Sequence, residues 1–161
     1  MKNKKLLFIT HAAIIAALYV VLTYFSALLG LDKGAVQFRF SEMLTVLPCF
    51  TPAAIPGLFI GCLISNIING AALWDVVFGS LATFIGAVGT YLLRRWKWLS
   101  PIPPIVANTL IVPPVIIAVY GSELPYILVT LGVFAGEFVC CGILGYILVG
   151  IMKKYGNKIL K

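Results

Sequence analysis

The chain has 161 residues, of which 61% are hydrophobic and 11% charged, with a mean hydropathy of +1.08, a composition outside the range of water-soluble domains. At about 20 residues per span plus short loops, this length accommodates about six membrane-crossing helices and leaves no room for a soluble domain beside them. The net charge of +7 sits in short clusters between apolar runs, which excludes a nucleic-acid-binding face.

Lys2, Lys4 and Lys5 precede the first apolar run, Leu6 to Leu29, which is too long for a secretory signal and lacks a small-residue cleavage site. An outer loop follows at about 30–40, carrying Asp32, Lys33 and Arg39. A short second helix is predicted from near Ser41 to the proline-punctuated stretch Pro48–Pro52. The third helix is expected over about 53–71 and the fourth over about 76–93, joined by an outer turn through Trp74 and Asp75. Arg94, Arg95 and Lys97, interleaved with Trp96 and Trp98, suit the lipid headgroup boundary. The fifth helix follows Pro101, Pro103 and Pro104 and carries Pro113 and Pro114, where two lost backbone donors predict a kink. The sixth, about 124–152, holds Glu137 near its centre and ends in Lys153, Lys154, Lys158 and Lys161. Six crossings place all three basic clusters on one side, with both termini in the cytoplasm. Residues 1–161 therefore read as one six-helix, all-α integral membrane domain. Cys49, Cys62, Cys140 and Cys141 lie inside apolar segments without metal-ligand or redox spacing, so neither metal nor cofactor is expected.

Function is sought in the polar residues held against this apolar background. A carboxylate at mid-membrane costs at least about 2.5 kcal/mol, so Glu137 is expected to face a cavity or a partner. Thr130, Phe134 and Cys141 are placed on its face by helical spacing. At 1.5 Å per residue, Glu137 lies about 20 Å and Asn108 about 18 Å below the outer ends of their helices, at similar depth. Asn66 is higher, and Trp74, Asp75, Arg39 and Glu42 belong at the outer mouth, so these residues outline an outward-opening cavity. Asn66 and Asn108 serve equally well as hydrogen-bonding glue between helices. The segment Val36–Glu42 reads either as a lid over a ligand or as a helix start with Ser41 as N-cap and an Arg39–Glu42 pair. Near the cytoplasmic end of the first helix, Ala12 with Ala16, and Ala13 with Ala17, stand four apart, a spacing that lets another helix approach closely. Gly57 with Gly61, and Gly132 with Gly136, do the same within the bundle.

The strings Val36–Pro48, Gly61–Asn66 and Trp74–Thr83 resemble the QueT family, S components of energy-coupling-factor (ECF) transporters assigned to uptake of queuosine precursors. The resemblance implies a six-helix substrate-binding subunit of the cell membrane, not itself an enzyme, that docks on a transmembrane coupling subunit (EcfT) driven by two ATPase subunits. It implies that one of the two alanine registers packs on the coupling subunit. It also implies a 7-deazaguanine ligand, 7-cyano or 7-aminomethyl, with Glu137 accepting from the pyrimidine edge, Phe134 beneath the ring and Trp74 as a lid. Glu42 or Asp75 would face the aminomethyl cation, and Arg39 would donate to the base carbonyl or position Glu42. The chain has no Walker-type phosphate loop, so nucleotide hydrolysis is expected from partner subunits. An S component for a pterin, flavin or thiamin is the alternative, followed by an intramembrane enzyme.

Overall fold

A computed structural model of the chain describes residues 3–32 and 36–159. Lys2, Lys33, Lys161 and the side chain of Lys158, which carry part of the charge pattern above, lie outside the described residues. All regular structure among the described residues is helical: α1 (Lys4–Leu28), a 3-10 helix (Phe40–Cys49), α2 (Ala54–Ile68), α3 (Leu73–Leu92), a 3-10 turn (Lys97–Leu99), α4 (Ile102–Tyr120), α5 (Tyr126–Glu137), a π-helical segment (Phe138–Leu144) and α6 (Gly145–Ile159).

Four stretches are long and apolar enough to cross a membrane, Lys4–Leu28, Leu73–Leu92, Lys97–Tyr120 and Tyr126–Gly156. Leucine and isoleucine side chains such as Leu18, Leu81, Leu110, Leu131 and Ile147 are exposed along these helices, a surface that belongs in lipid. The protein is thus a multi-pass membrane protein. The remaining two apolar helices are short, with 10 residues in the 3-10 helix and 15 in α2. A 3-10 helix rises about 2.0 Å per residue and so reaches about 20 Å in ten residues, as far as fourteen residues of α-helix. The tighter winding lets a ten-residue segment extend through most of the bundle.

That 3-10 helix is the central element. Eight of its ten residues are buried, and it packs against α1, α3, α6 and the π segment. Glycines set the close contacts around it. A Cβ on Gly57 would stand 2.7 Å from the Ala12 carbonyl oxygen, and one on Gly61 would stand 2.8 Å from Tyr19 Cβ, so α2 runs parallel to α1 with backbones nearly touching. Gly86 and Gly89 on α3 meet Pro104 and Pro103 in the first turn of α4, which pairs these helices antiparallel. Thr45 Oγ1 lies 3.1 Å from Cys141 Sγ, so the 3-10 helix and the π segment run side by side.

α4 continues through Pro113 and Pro114, and Gly121, with φ of 60°, ends it in the left-handed conformation that glycine adopts without strain. The sequence expectation of one regular last helix is corrected by the π segment that begins directly after Glu137. The alternation of helix directions gathers Lys4, Lys5, Arg94, Arg95, Lys97, Lys153 and Lys154 at one end of the bundle. There Lys97 Nζ sits 4.4 Å from the centre of the Phe50 ring.

Candidate functional site

The polar residues of the core meet around the N-terminal half of the 3-10 helix. Glu42, on its first turn, accepts from the Tyr19 hydroxyl of α1 through Oε1 and from Asn108 Nδ2 of α4 through Oε2 at 3.5 Å. The same Asn108 amide donates to Glu137 Oε1 at 3.0 Å, so one side chain bridges two carboxylates from two other elements. The helical rise predicts similar depth for Asn108 and Glu137, and the structure brings them into hydrogen-bonding contact. Glu137 Oε2 is buried and has no hydrogen-bond partner among the described residues. A carboxylate oxygen in that position is an acceptor held ready for a donor that the protein does not provide.

Arg39 stands just before the 3-10 helix, and its guanidinium donates to Asn66 Oδ1 of α2 at 3.4 Å. Asn66 in turn approaches Cys62 Sγ, to which Thr83 Oγ1 also donates. The reading of Val36–Glu42 as a capped helix start is corrected here. The helix begins at Phe40, Arg39 occupies the cap position without a side-chain bond, and Ser41 is inside the helix, its hydroxyl accepting from Thr23 of α1 at 2.7 Å. Arg39 bonds to Asn66 and Glu42 to Tyr19 and Asn108, so the expected Arg39–Glu42 pair is replaced by separate partners. The segment before Phe40 is fastened to the end of α1 through Phe38 N to Leu31 O (2.7 Å) and Phe40 N to Ser26 Oγ (2.9 Å). Gly136 lies directly beneath the Gln37 carbonyl with no room for a side chain, so this segment presses on α5.

Two adjacent spaces result. An inner pocket of about 20 Å³ is lined by Gln37, Arg39, Glu42, Thr83, Asn108 and Glu137, together with Gly79, Val112 and Val133. A vestibule of about 570 Å³ is lined by Asp32, Gln37, Arg39, Asn66, Asn69, Asp75, Tyr120 and Ser122 among others, and it sits at the bundle end opposite the basic clusters. Gln37 and Arg39 line both and form the partition between them. The inner pocket has room for about one water, whereas the vestibule has the size of a small-molecule site. At its wall Asp75 Oδ2 accepts from the Tyr120 hydroxyl at 3.1 Å, and the Ala72 amide donates to the Tyr120 oxygen at 3.2 Å.

Six of the eight residues singled out in the sequence, Arg39, Glu42, Asn66, Asp75, Asn108 and Glu137, line these two spaces. The other two do not. Phe134 is exposed and stacks on Phe138 at 6.1 Å. Trp74 is 61% exposed, stacks on Phe78 and lines a separate apolar groove of about 540 Å³ between α3 and α4. Gln37, from the segment read as a lid, lines both spaces, and Tyr19, Thr83 and Tyr120 contribute to the site without having been singled out. Tyr19 is one of several hydroxyl-bearing residues of α1, with Thr10, Thr23, Tyr24 and Ser26, and the sequence does not distinguish it from them.

An all-helical membrane protein with a polar, carboxylate-lined cavity at one end of its bundle is the architecture of a small-solute binding or transport protein. The profile of the QueT transporter family matches residues 9–154, and the chain belongs to that family. A relative from Lactococcus lactis subsp. cremoris (strain MG1363), described as queuosine precursor transporter QueT, is 40% identical over 99 residues, covering 60% of this chain and 57% of the relative. The aligned part thus spans little more than half of that relative's length. No solved structure matches the chain.

Proposed function

We propose that this protein is the substrate-binding subunit of an ECF-type importer of a queuosine precursor, a 7-deazaguanine base, in the cell membrane. In this reading it crosses the bilayer six times with both termini in the cytoplasm and the vestibule facing outward. The gathering of the described basic side chains at the end opposite the vestibule supports that orientation through the positive-inside rule. Family membership supports the transport role, and the relative's description supports the substrate class.

The observation that carries the reading is the bare Glu137 Oε2 beside the Arg39 guanidinium in one pocket. The pyrimidine edge of a 7-deazaguanine offers adjacent N–H donors and a carbonyl acceptor, which one carboxylate and one guanidinium complement. The inner pocket is too small for the ring as it stands. Entry therefore displaces the Gln37 and Arg39 side chains and merges the pocket with the vestibule, with the base edge reaching Glu137 and the five-membered ring left in the vestibule.

The chain is not proposed as an enzyme, and partner ATPases supply the driving force. Docking on the coupling subunit is assigned to the Ala13–Ala17 register of α1. Ala12 and Ala16 lie under Gly57 and Gly61 of α2, whereas Ala13 and Ala17 are exposed and leave a small-residue strip free for a partner helix. Mass spectrometry of the ligand that copurifies with the detergent-solubilised protein, followed by calorimetry with 7-cyano- and 7-aminomethyl-7-deazaguanine, tests the substrate. A copurified flavin, thiamin or pterin, with no heat from either deazaguanine, sinks it.

A further inference from the structure

The chain contains five acidic residues, and four of them, Asp32, Glu42, Asp75 and Glu137, line the two adjacent spaces. Among the described residues Arg39 is the one cation that lines them. A protein of net charge +7 thus concentrates its negative charge in one concavity and holds its described lysines at the far end of the bundle. Carboxylates at membrane depth are costly and persist where they meet a partner. Glu42 and Glu137 have theirs in Asn108, Tyr19 and the proposed base edge, whereas in the vestibule only one oxygen of Asp75 is engaged among the described residues, by Tyr120.

Among the described residues, the buried Asp32 Oδ1 has no hydrogen-bond partner. Asp75 is only 7% exposed, and one of its oxygens is engaged by Tyr120. Its other oxygen, Oδ1, lies 3.7 Å from the point where a Cβ on Gly79 would stand, and Gly79 lines the inner pocket. Asp75 therefore stands on the vestibule wall one helical turn from a residue of the inner pocket, on the side where the outward end of a bound base is proposed to lie. The Asn66 and Asn69 amides and the Ser122 hydroxyl add further oxygens to the same wall.

We infer that the vestibule is an ammonium subsite: Asp75, with Asp32, takes a primary ammonium carried on the outward end of the ligand. The inference rests on the reading of the ligand as a 7-deazaguanine and decides which substituent it carries. With the pyrimidine edge at Glu137, the C7 substituent points into the vestibule. An aminomethyl group there is a cation with three donors, matched to carboxylate oxygens. A nitrile at the same place brings a lone pair toward lone pairs, and a hydroxymethyl group of the same shape brings one donor and no charge. In a cavity of reduced dielectric, the charged form gains most from two nearby carboxylates.

The test is calorimetry on the purified full chain in nanodiscs with 7-aminomethyl-, 7-hydroxymethyl- and 7-cyano-7-deazaguanine. The wild-type protein is expected to bind the aminomethyl compound at least about tenfold more tightly than the hydroxymethyl one, which is about 1.4 kcal/mol. Asp75→Asn, which retains an oxygen for Tyr120, and Asp32→Asn each shrink that ratio, and the double variant brings it toward one. The ratio is the readout, so a general loss of affinity in a variant does not count. If Asp75→Asn does not fold, the wild-type ratio and Asp32→Asn decide. A wild-type ratio near one, or a ratio that neither aspartate changes, overturns the ammonium subsite while binding of the base stands. Absence of binding by all three compounds overturns the 7-deazaguanine reading and the subsite with it.

Discussion

The seam between α3 and α4 and the seam between the 3-10 helix and the π segment do different work with different backbones. In the first, two α-helices meet through Gly86 and Gly89 against Pro104 and Pro103, a close contact of glycine on proline. In the second, both partners depart from α geometry, and the carboxylates stand at their starts: Glu42 on the first turn of the 3-10 helix and Glu137 immediately before the π segment. A π segment rotates the residues beyond it relative to those before it, which lets Glu137 face Asn108 while Cys141 faces Thr45. The regular helices carry Asn66, Asp75, Asn108 and Glu137, and the irregular segments set how Glu42 and Cys141 meet their partners.

The sharpest way to break the frame is Gly86→Val. A Cβ there would stand 2.7 Å from Pro104 Cα and 2.9 Å from its Cβ, atoms of a ring that cannot swing aside. Separating α3 from α4 costs about 3 kcal/mol, the upper end of overpacking penalties. Thermal unfolding followed by size-exclusion chromatography in detergent should show an early loss of the monodisperse peak. A variant as stable as the wild type would mean that this seam yields easily.

The site is tested by Glu137→Gln. Glutamine keeps an oxygen for Asn108, so the bundle should retain its stability, but the bare Oε2 becomes an amide donor facing the ligand's donors. Loss of a charge-assisted acceptor weakens ligand binding by about 2 kcal/mol, close to thirtyfold in Kd. Calorimetry that finds unaltered affinity removes Glu137 from the binding surface.

How much of this division is legible in the sequence depends on whether the signal is apolar or angular. The helices are legible because long apolar runs are broken by prolines, glycines and basic clusters, and the polar residues of the site are legible because each stands out against that background. The 3-10 and π windings are not, since a helix that is apolar on most faces gives no periodicity from which to read its pitch. Phe134 shows the consequence. At i−3 it is about 60° around the helix from Glu137. Glu137 lies at the rim of a buried face formed by Val129, Gly132, Val133 and Gly136, so that offset carries Phe134 out of the bundle. Tyr19 was missed for the complementary reason: nothing in an apolar run says which hydroxyl points inward.

Tyr19→Phe sharpens the comparison from the α1 side, because it removes the donor to Glu42 Oε1 without changing the packing of the ring. Glu42 is then held by Asn108 alone, at 3.5 Å. A buried carboxylate oxygen without its donor costs about 1.5 kcal/mol. The variant is expected to melt earlier than the wild type and to bind ligand about threefold more weakly, since Asn108 must now serve a looser Glu42 as well as Glu137. Unchanged melting would show that water replaces the hydroxyl.

The smallest effect is expected at Trp74, where sequence and structure differ most. A tryptophan beside the outer turn suggests a lid over a planar ligand, and Asp75 next to it does line the vestibule. Adjacent residues on an α-helix point about 100° apart, however. With Asp75 turned inward to Tyr120, Trp74 is turned onto Phe78 and the groove between α3 and α4, a position suited to the membrane interface. Trp74→Leu should therefore leave ligand affinity within about 0.5 kcal/mol of the wild type, as surface substitutions do, and in the wild type the Trp74 fluorescence should not be quenched by direct stacking on the ligand. Fluorescence titration of the wild type and calorimetry of the variant measure both halves of this expectation. A tenfold loss of affinity in Trp74→Leu would mean that α3 rotates by roughly the 100° that separates the two side chains when the ligand enters, and that the apolar groove belongs to the path of the substrate.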